Sequence, residues 1–252
     1  MIKRPAGMKS LPFLCLSLFA AIAWTTPALR AEPAALFSED FENGVEGSDV
    51  DGQATSQGGA EWSADYVSAI LKYQMNTTPG LPELGTLYGQ FWANPKGRGQ
   101  VVLSTDLSTI PVYQVNIGYL SLNGVGSFVV NPHGTSASDR FCYWFTRGIF
   151  DGKTRIQIAW KDEAGELIPI GYLPAKAAGQ GLAATGLSIR VTDEAQQLCI
   201  EGTPFDSEAR PVQSSAQSNS KVQVRLLAVA SNGSPVDIRV DNISVAADSP
   251  SR

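Results

Sequence analysis

The sequence predicts an all-β protein, a two-sheet antiparallel jelly-roll β-sandwich, and three observations carry that prediction. Turn dipeptides recur along the chain at Asn43-Gly44, Asp51-Gly52, Asn123-Gly124, Asp151-Gly152 and Asn232-Gly233, the punctuation of antiparallel hairpins. Between them lie short runs rich in Val, Ile, Phe, Tyr and Thr that alternate with a period of two, the period of a half-buried strand. Helical periodicity is nearly absent. Roughly ten strands in about 220 residues match the spacing of sandwiches and barrels.

The elements follow in chain order. Strands are expected at 36–42, 99–104, 112–122 and 127–130, each an apolar run bounded by turn residues. Residues 140–150 and 154–160 flank Asp151-Gly152 and should form a hairpin, with Ile156, Ile158 and Trp160 on one face. Residues 166–173 extend it into a meander across Ala164-Gly165. Further strands are marked by Leu187, Ile189 and Val191, by 197–201, by Val222, Val224 and Leu226, and by Ile238 and Val240. In the last of these the apolar parity changes from Ile238/Val240 to Ile243/Val245, which requires a bulge near Asp241-Asn242. Segments 44–60, 174–186 and 206–220 lack periodicity and read as long loops.

The composition, 252 residues with 43% apolar, 17% charged and a single His, suits one globular domain and excludes catalysis or metal binding built on several histidines. Residues 1–31 carry Lys3, Arg4 and Lys9, then a fourteen-residue apolar run from Leu11 to Trp24, then TTPALRA. That is the pattern of a secretory signal peptide, shorter than the ~20 apolar residues of a membrane-spanning helix. The expected organisation is a signal peptide at 1–31, a single sandwich domain at 32–247 and a flexible tail at 248–252, in a secreted or periplasmic protein. Removing the four basic residues of the signal leaves 15 Lys+Arg against 24 Asp+Glu, a balance of −9. Such a surface repels phosphate backbones, so nucleic acid is not an expected partner. Cys142 and Cys199 remain in an oxidising compartment, where a disulfide or two buried thiols are both consistent with the sequence.

Two stretches carry a family resemblance: Leu36-Phe-Ser-Glu-Asp-Phe-Glu-Asn-Gly44, and Val236-Asp-Ile-Arg-Val-Asp-Asn-Ile-Ser-Val245. They resemble the first and last strands of carbohydrate-binding-module and concanavalin-like jelly rolls, and together cover about 19 residues. The resemblance implies that the two end strands lie side by side. It also implies a structural calcium between them, with Asp241 as the C-terminal acid and Glu39, Asp40 or Glu42 as the N-terminal one. Glu39 shares the parity of Phe37 and Phe41, which turns its carboxylate toward the core, where it needs a partner.

Sugar rings present apolar C–H faces that stack on aromatic rings, while their hydroxyls bond to amides and carboxylates. Trp62, Tyr66, Tyr88 and Trp92, flanked by Glu61, Gln90 and Asn94, are the candidate ligand residues; Trp144 and Trp160 sit in strongly patterned strands and should be core. His133, near Asp139 and Arg140, is the only candidate general base. Asp162, Glu163 and Glu166 form an acidic group at a hairpin turn, and Asp49-Val-Asp51-Gly52 opens like a calcium loop without its later acid. The leading expectation is a secreted, non-catalytic sandwich that binds a glycan or cell-surface component. The alternatives are a polysaccharide lyase or glycoside hydrolase using His133 or a carboxylate pair, and a structural or adhesion subunit of an extracellular assembly.

Overall fold

The computed structural model describes residues 35–77, 84–104, 112–134, 140–212, 223–231 and 233–247. The expected signal peptide, the tail, part of the 206–220 loop and Asn232 lie outside them. The chain forms β1 (Ala35–Glu39), β2 (Glu61–Met75), β3 (Leu87–Ser104), β4 (Val112–Gly124) and β5 (Gly126–Gly134). The meander follows as β6 (Cys142–Phe150), β7 (Lys153–Lys161) and β8 (Leu167–Tyr172). Then come β9 (Lys176–Ala178), β10 (Gly181–Thr192), β11 (Ala195–Ile200), β12 (Thr203–Pro204), β13 (Arg210–Pro211), β14 (Gln223–Ala230) and β15 (Val236–Ala247). Every strand pairing among the described residues is antiparallel. No helix among the described residues is long and apolar enough to cross a membrane.

The expected antiparallel sandwich is present, and its two layers are cut from one hydrogen-bonded path, β12-β11-β10-β4-β15-β3-β14-β5-β6-β7-β8. The join is β3. Its first half, Gly89–Ala93, pairs with β15, while its second half, Arg98–Ser104, pairs with β14. Between them Pro95 offers no N–H and Lys96 takes a φ of 66°. Opposite, β2 slips register between Val67 and Ala69, with Ser68 at φ 52°. Both strands therefore turn the corner from one layer to the other at a bulge. The layers then meet face to face. In the sheet path β6 and β11 are seven strands apart, about 34 Å if flat, yet Tyr143 Oη on β6 donates to the Gln196 carbonyl on β11 at 3.4 Å. Phe91, Phe128 and Phe145 pack in tilted contact through the interior, with ring centres 5.9 and 6.5 Å apart.

The parity switch expected at Asp241-Asn242 is real, and it crosses the sheet. Asn242 adopts a φ of 54°, and the β15–β4 register runs through it unbroken, from Asp241↔Tyr119 to Ile243↔Ile117. The neighbouring strands change face in step: Ile117 and Leu120 are both core residues on β4, and Gly186 on β10 has a φ of 66°. Gly118 lies at the centre of this crease. A Cβ there would stand 2.7 Å from the Cβ of Asn242, so only glycine lets β4 and β15 keep their spacing.

The side-by-side end strands follow as the resemblance implies, with Ser38↔Ser244 and Glu39↔Ile243 in register. Cys142 and Cys199 are both thiols, which corrects the disulfide alternative. The residue of β11 that faces the start of β6 is Gln196, whose amide donates to the Phe141 carbonyl at 3.1 Å. Cys199 lies three residues further along β11, about 10 Å away, and Cys142 Sγ instead accepts from the Trp144 indole at 3.3 Å.

Candidate functional site: an aromatic and polar row on β3 and β15

Residues of β3 that alternate with the buried Leu87, Phe91 and Ala93 face outward: Tyr88, Gln90 and Trp92. On β15 the buried Val236, Ile238 and Val240 leave Asp237 and Arg239 on the outer face. Pairing places Trp92 opposite Asp237 and Gln90 opposite Arg239. The polar groups are already engaged with one another: Gln90 Nε2 donates to Asp237 Oδ1 at 2.8 Å, and Arg239 Nη2 lies 3.3 Å from Asp237 Oδ2. The Arg239 guanidinium also sits over the Tyr88 ring, 5.5 Å from its centre. Beyond Asp237 the row continues to Asn123, whose side-chain oxygen accepts the Gly124 N–H at 2.9 Å.

Trp92 is 38% exposed, a large ring on this face with its own strand held on both sides. Of the four aromatic residues expected to meet ligand, it is the one presented to solvent. Trp62 is 1% exposed, and its indole N–H donates to Glu39 Oε2 at 3.0 Å, so it belongs to the core. Tyr88 is buried beside Leu84 and Tyr119. Tyr66 is half-buried and its hydroxyl is shared between Asp49 Oδ1 at 3.1 Å and the Leu71 carbonyl at 3.3 Å; burial pushes its pKa far above the ordinary tyrosine value. The bulge at Ser68 explains the reversal. It carries the inward parity from Trp62 and Tyr66 to Leu71 and Tyr73, which a uniform alternation would not show. Trp160 is core as expected, whereas Trp144 is half-buried with the Lys161 ammonium 5.0 Å from its ring centre.

The calcium expectation at Glu39 and Asp241 does not fit. Glu39 is buried, and its two oxygens accept Phe41 N at 2.6 Å and the Trp62 indole at 3.0 Å, with the single Ser56 hydroxyl proton shared between Glu39 Oε1 at 2.8 Å and Asp40 Oδ1 at 2.6 Å, the compensation a core carboxylate requires. Asp241 accepts the Gly85 N–H at 2.9 Å and the Asn242 N–H at 2.7 Å. Both carboxylates are thus taken up by protein donors, and among the described residues no group of three or more His, Cys, Asp or Glu side chains is arranged to hold a metal.

The candidate catalytic groups are structural in their surroundings. His133 is buried on β5, stacked 6.3 Å from Tyr113. Tyr113 Oη donates its one proton to the Pro132 carbonyl at 2.8 Å, which leaves it as acceptor for His133 Nδ1–H at 2.8 Å. Burial lowers the His133 pKa, so the imidazole is held neutral. Asp162 closes its own turn by accepting the Glu166 N–H at 2.8 Å, and the Glu163 carbonyl is tied to Arg140 at 2.7 Å. Asp237 and Arg239 went unnoticed in the sequence as ligand residues. Their alternation with Val236, Ile238 and Val240 signals a shared face, but Gln90 and Asp237 are 147 residues apart and only pairing unites them.

No known family model matches the sequence, and no curated protein matches it. Among solved structures, the metal- and Man3GlcNAc-bound lumenal domain of VIP36 is similar over 76% of this chain and 85% of that one, at 8% identity and a TM-score of 0.45. The carbohydrate recognition domain of Emp47p covers 86% and 97%, at 10% identity and 0.45. A botulinum neurotoxin type C structure covers 80% of this chain at 8% identity and 0.45, and the chain spans about half of its length, 47%.

Proposed function

We propose that the protein is a secreted, non-catalytic binding module whose outer β3–β15 face holds a neutral glycan chain. The observation that carries this reading is the exposed Trp92 ring beside the preformed Gln90–Asp237–Arg239 network. The ring supplies an apolar plate for the C–H face of a pyranose, and Gln90, Asp237, Arg239 and Asn123 offer both donors and acceptors to its hydroxyls. Because these polar groups are fixed by one another, little side-chain entropy is lost when a ligand replaces water. Within the row Asp237 and Arg239 cancel in charge, which favours neutral over polyanionic chains.

The exposed 38% of Trp92 corresponds to about 95 Å² of a large aromatic side chain, and covering it is worth about 2 kcal/mol, or roughly thirtyfold in affinity. Retention on insoluble polysaccharides, compared between the wild type and Trp92→Ala, tests this directly. Loss of retention at unchanged unfolding midpoint is the expected result. Equal retention of the two proteins, or no retention on a broad panel of neutral glycans, would overturn the proposal.

A further inference from the structure

A concave site lies apart from Trp92, where the sheet edge along β10 is interrupted. On one side β10 is paired with β9 through Ala183↔Lys176, and from Leu187↔Ile200 onward it is paired with β11. Among the described residues no strand lies against 184–186 on that side; the Glu201 N–H reaches the Gly186 carbonyl at 2.8 Å and closes one end of the gap. The gap is a cavity of ≈ 350 Å³. Tyr119, Ala183 and Ile200 give it an apolar wall, and Thr185, Lys176 and Glu201 stand around it as polar groups. Its shape follows from backbone conformations that the turns impose: Gly179, Gly186, Glu201 and Gly202 all have positive φ, at 59°, 66°, 50° and 75°. These separate the ends of β9 and β11 and keep them from closing over the bare edge of β10.

The lining constrains the occupant. The volume is at the small end of the range for ligand sites, so it takes one ring and excludes a longer segment. Lys176 and Glu201 contribute one charge of each sign, and no ion pair among the described residues engages either. A ligand there meets a cationic donor, an anionic acceptor and a hydroxyl over an apolar floor, which suits an uncharged polyol with an apolar face. A net anion would gain at Lys176 and lose at Glu201. In the strand grid the cavity is displaced from Trp92 by the four residues between Asn123 and Tyr119, about 13 Å, and by three strands, about 14 Å. It is therefore a separate site on the same β-sheet.

We propose that this cavity is a chain-end subsite that takes a single neutral sugar ring, while the chain beyond it runs toward Trp92. The inference rests on the glycan-binding reading and deepens it. The apolar wall receives a C–H face or a methyl-bearing substituent, Glu201 accepts hydroxyl protons, and Lys176 and Thr185 donate to ring or hydroxyl oxygens.

Titration calorimetry or saturation-transfer NMR of the full chain tests it with the methyl glycosides of a neutral hexose and an N-acetylhexosamine, and with a hexuronic acid as the charged comparator. A neutral glycoside is expected to bind with a dissociation constant of about millimolar, as befits a ligand of this size. Ala177→Leu, at an exposed position lining the cavity, fills it and should weaken binding about tenfold or more at unchanged unfolding midpoint. Lys176→Gln and Glu201→Gln should each weaken it several-fold. Binding that survives Ala177→Leu, or that favours the hexuronic acid, overturns the subsite. If no monosaccharide binds while Trp92→Ala abolishes polysaccharide retention, the subsite fails and the surface reading stands. If Ala177→Leu abolishes monosaccharide binding while retention is indifferent to Trp92→Ala, the subsite stands and the surface reading fails.

Discussion

Asp241 makes the stability of this protein pH-dependent in a direction opposite to that of most carboxylates. Its side chain is 1% exposed on β15 at the crease, where it accepts the Gly85 and Asn242 N–H groups. Burial pushes its pKa up to about 6; the two backbone hydrogen bonds pull it down, and the charges of Glu42 and Asp40 push it up again. The folded pKa thus exceeds that of the unfolded chain, so the folded state binds the proton more tightly. The contribution of Asp241 to stability is full below about pH 4 and is lost as pH rises to about 6, then flat. A separation of about two units makes the loss at most about 3 kcal/mol. Urea unfolding followed by tryptophan fluorescence between pH 4 and 7.5, on the wild type and on Asp241→Asn, isolates this term from all other carboxylates by difference. Asp241→Asn should be destabilised at pH 4, where it loses part of the acceptor geometry for two N–H donors, and should close the gap with the wild type by pH 7. A constant difference between the two proteins across the range, or a gap that widens with pH, would refute the assignment.

Glu39→Ala should cost about 3 kcal/mol, because it strands the buried Phe41 N–H and the Trp62 indole at once, while the Ser56 hydroxyl keeps Asp40; chemical denaturation reads it, and a loss below ~1 kcal/mol would show that the carboxylate is not the hub of that cluster. Gly118→Ala should destabilise by about 1–3 kcal/mol through the contact with Asn242, and Asn242→Gly should recover part of that loss if the crease is the cause. Denatured without reductant, the chain lacking residues 1–31, and with them Cys15, should take up two equivalents of a thiol reagent at Cys142 and Cys199 by intact mass; in the native state the half-buried Cys199 should react before the buried Cys142. Uptake of none would restore the disulfide.

The β-sandwich was legible because its cues are local. Asp151-Gly152 supplies the two positive φ values, 51° and 71°, that a tight hairpin demands, and β6 and β7 follow on either side of it as expected. The switch at Asp241-Asn242 was legible for the same reason, since four apolar residues on one strand record it. What stayed hidden were the features set by irregular backbone. The 87–98 half of β3 contains Pro95, Lys96 and Gly97 and is not among the strands expected from the sequence, yet it is the strand that joins the layers. Segment 174–186 reads as a loop because alanine and glycine carry no period-two signal, yet it forms β9 and the start of β10 around the cavity.

By itself the sequence determined the class of fold and most strand positions, because alternation and turn chemistry act over a few residues; the pairing of the two chain ends came only through the family resemblance of 36–44 and 236–245. Only the tertiary structure decided which aromatic residue faces solvent and which polar groups stand beside it. A strand's inward face reverses at a bulge: the one at Ser68 lets Trp62 face the core on one half of β2 and Leu71 on the other, while Trp92 alternates with the buried Phe91 and Ala93 and stays outside. Partnership across the sheet is likewise a property of register, which brings Trp92 to Asp237 and Glu39 to Trp62 from distant parts of the chain.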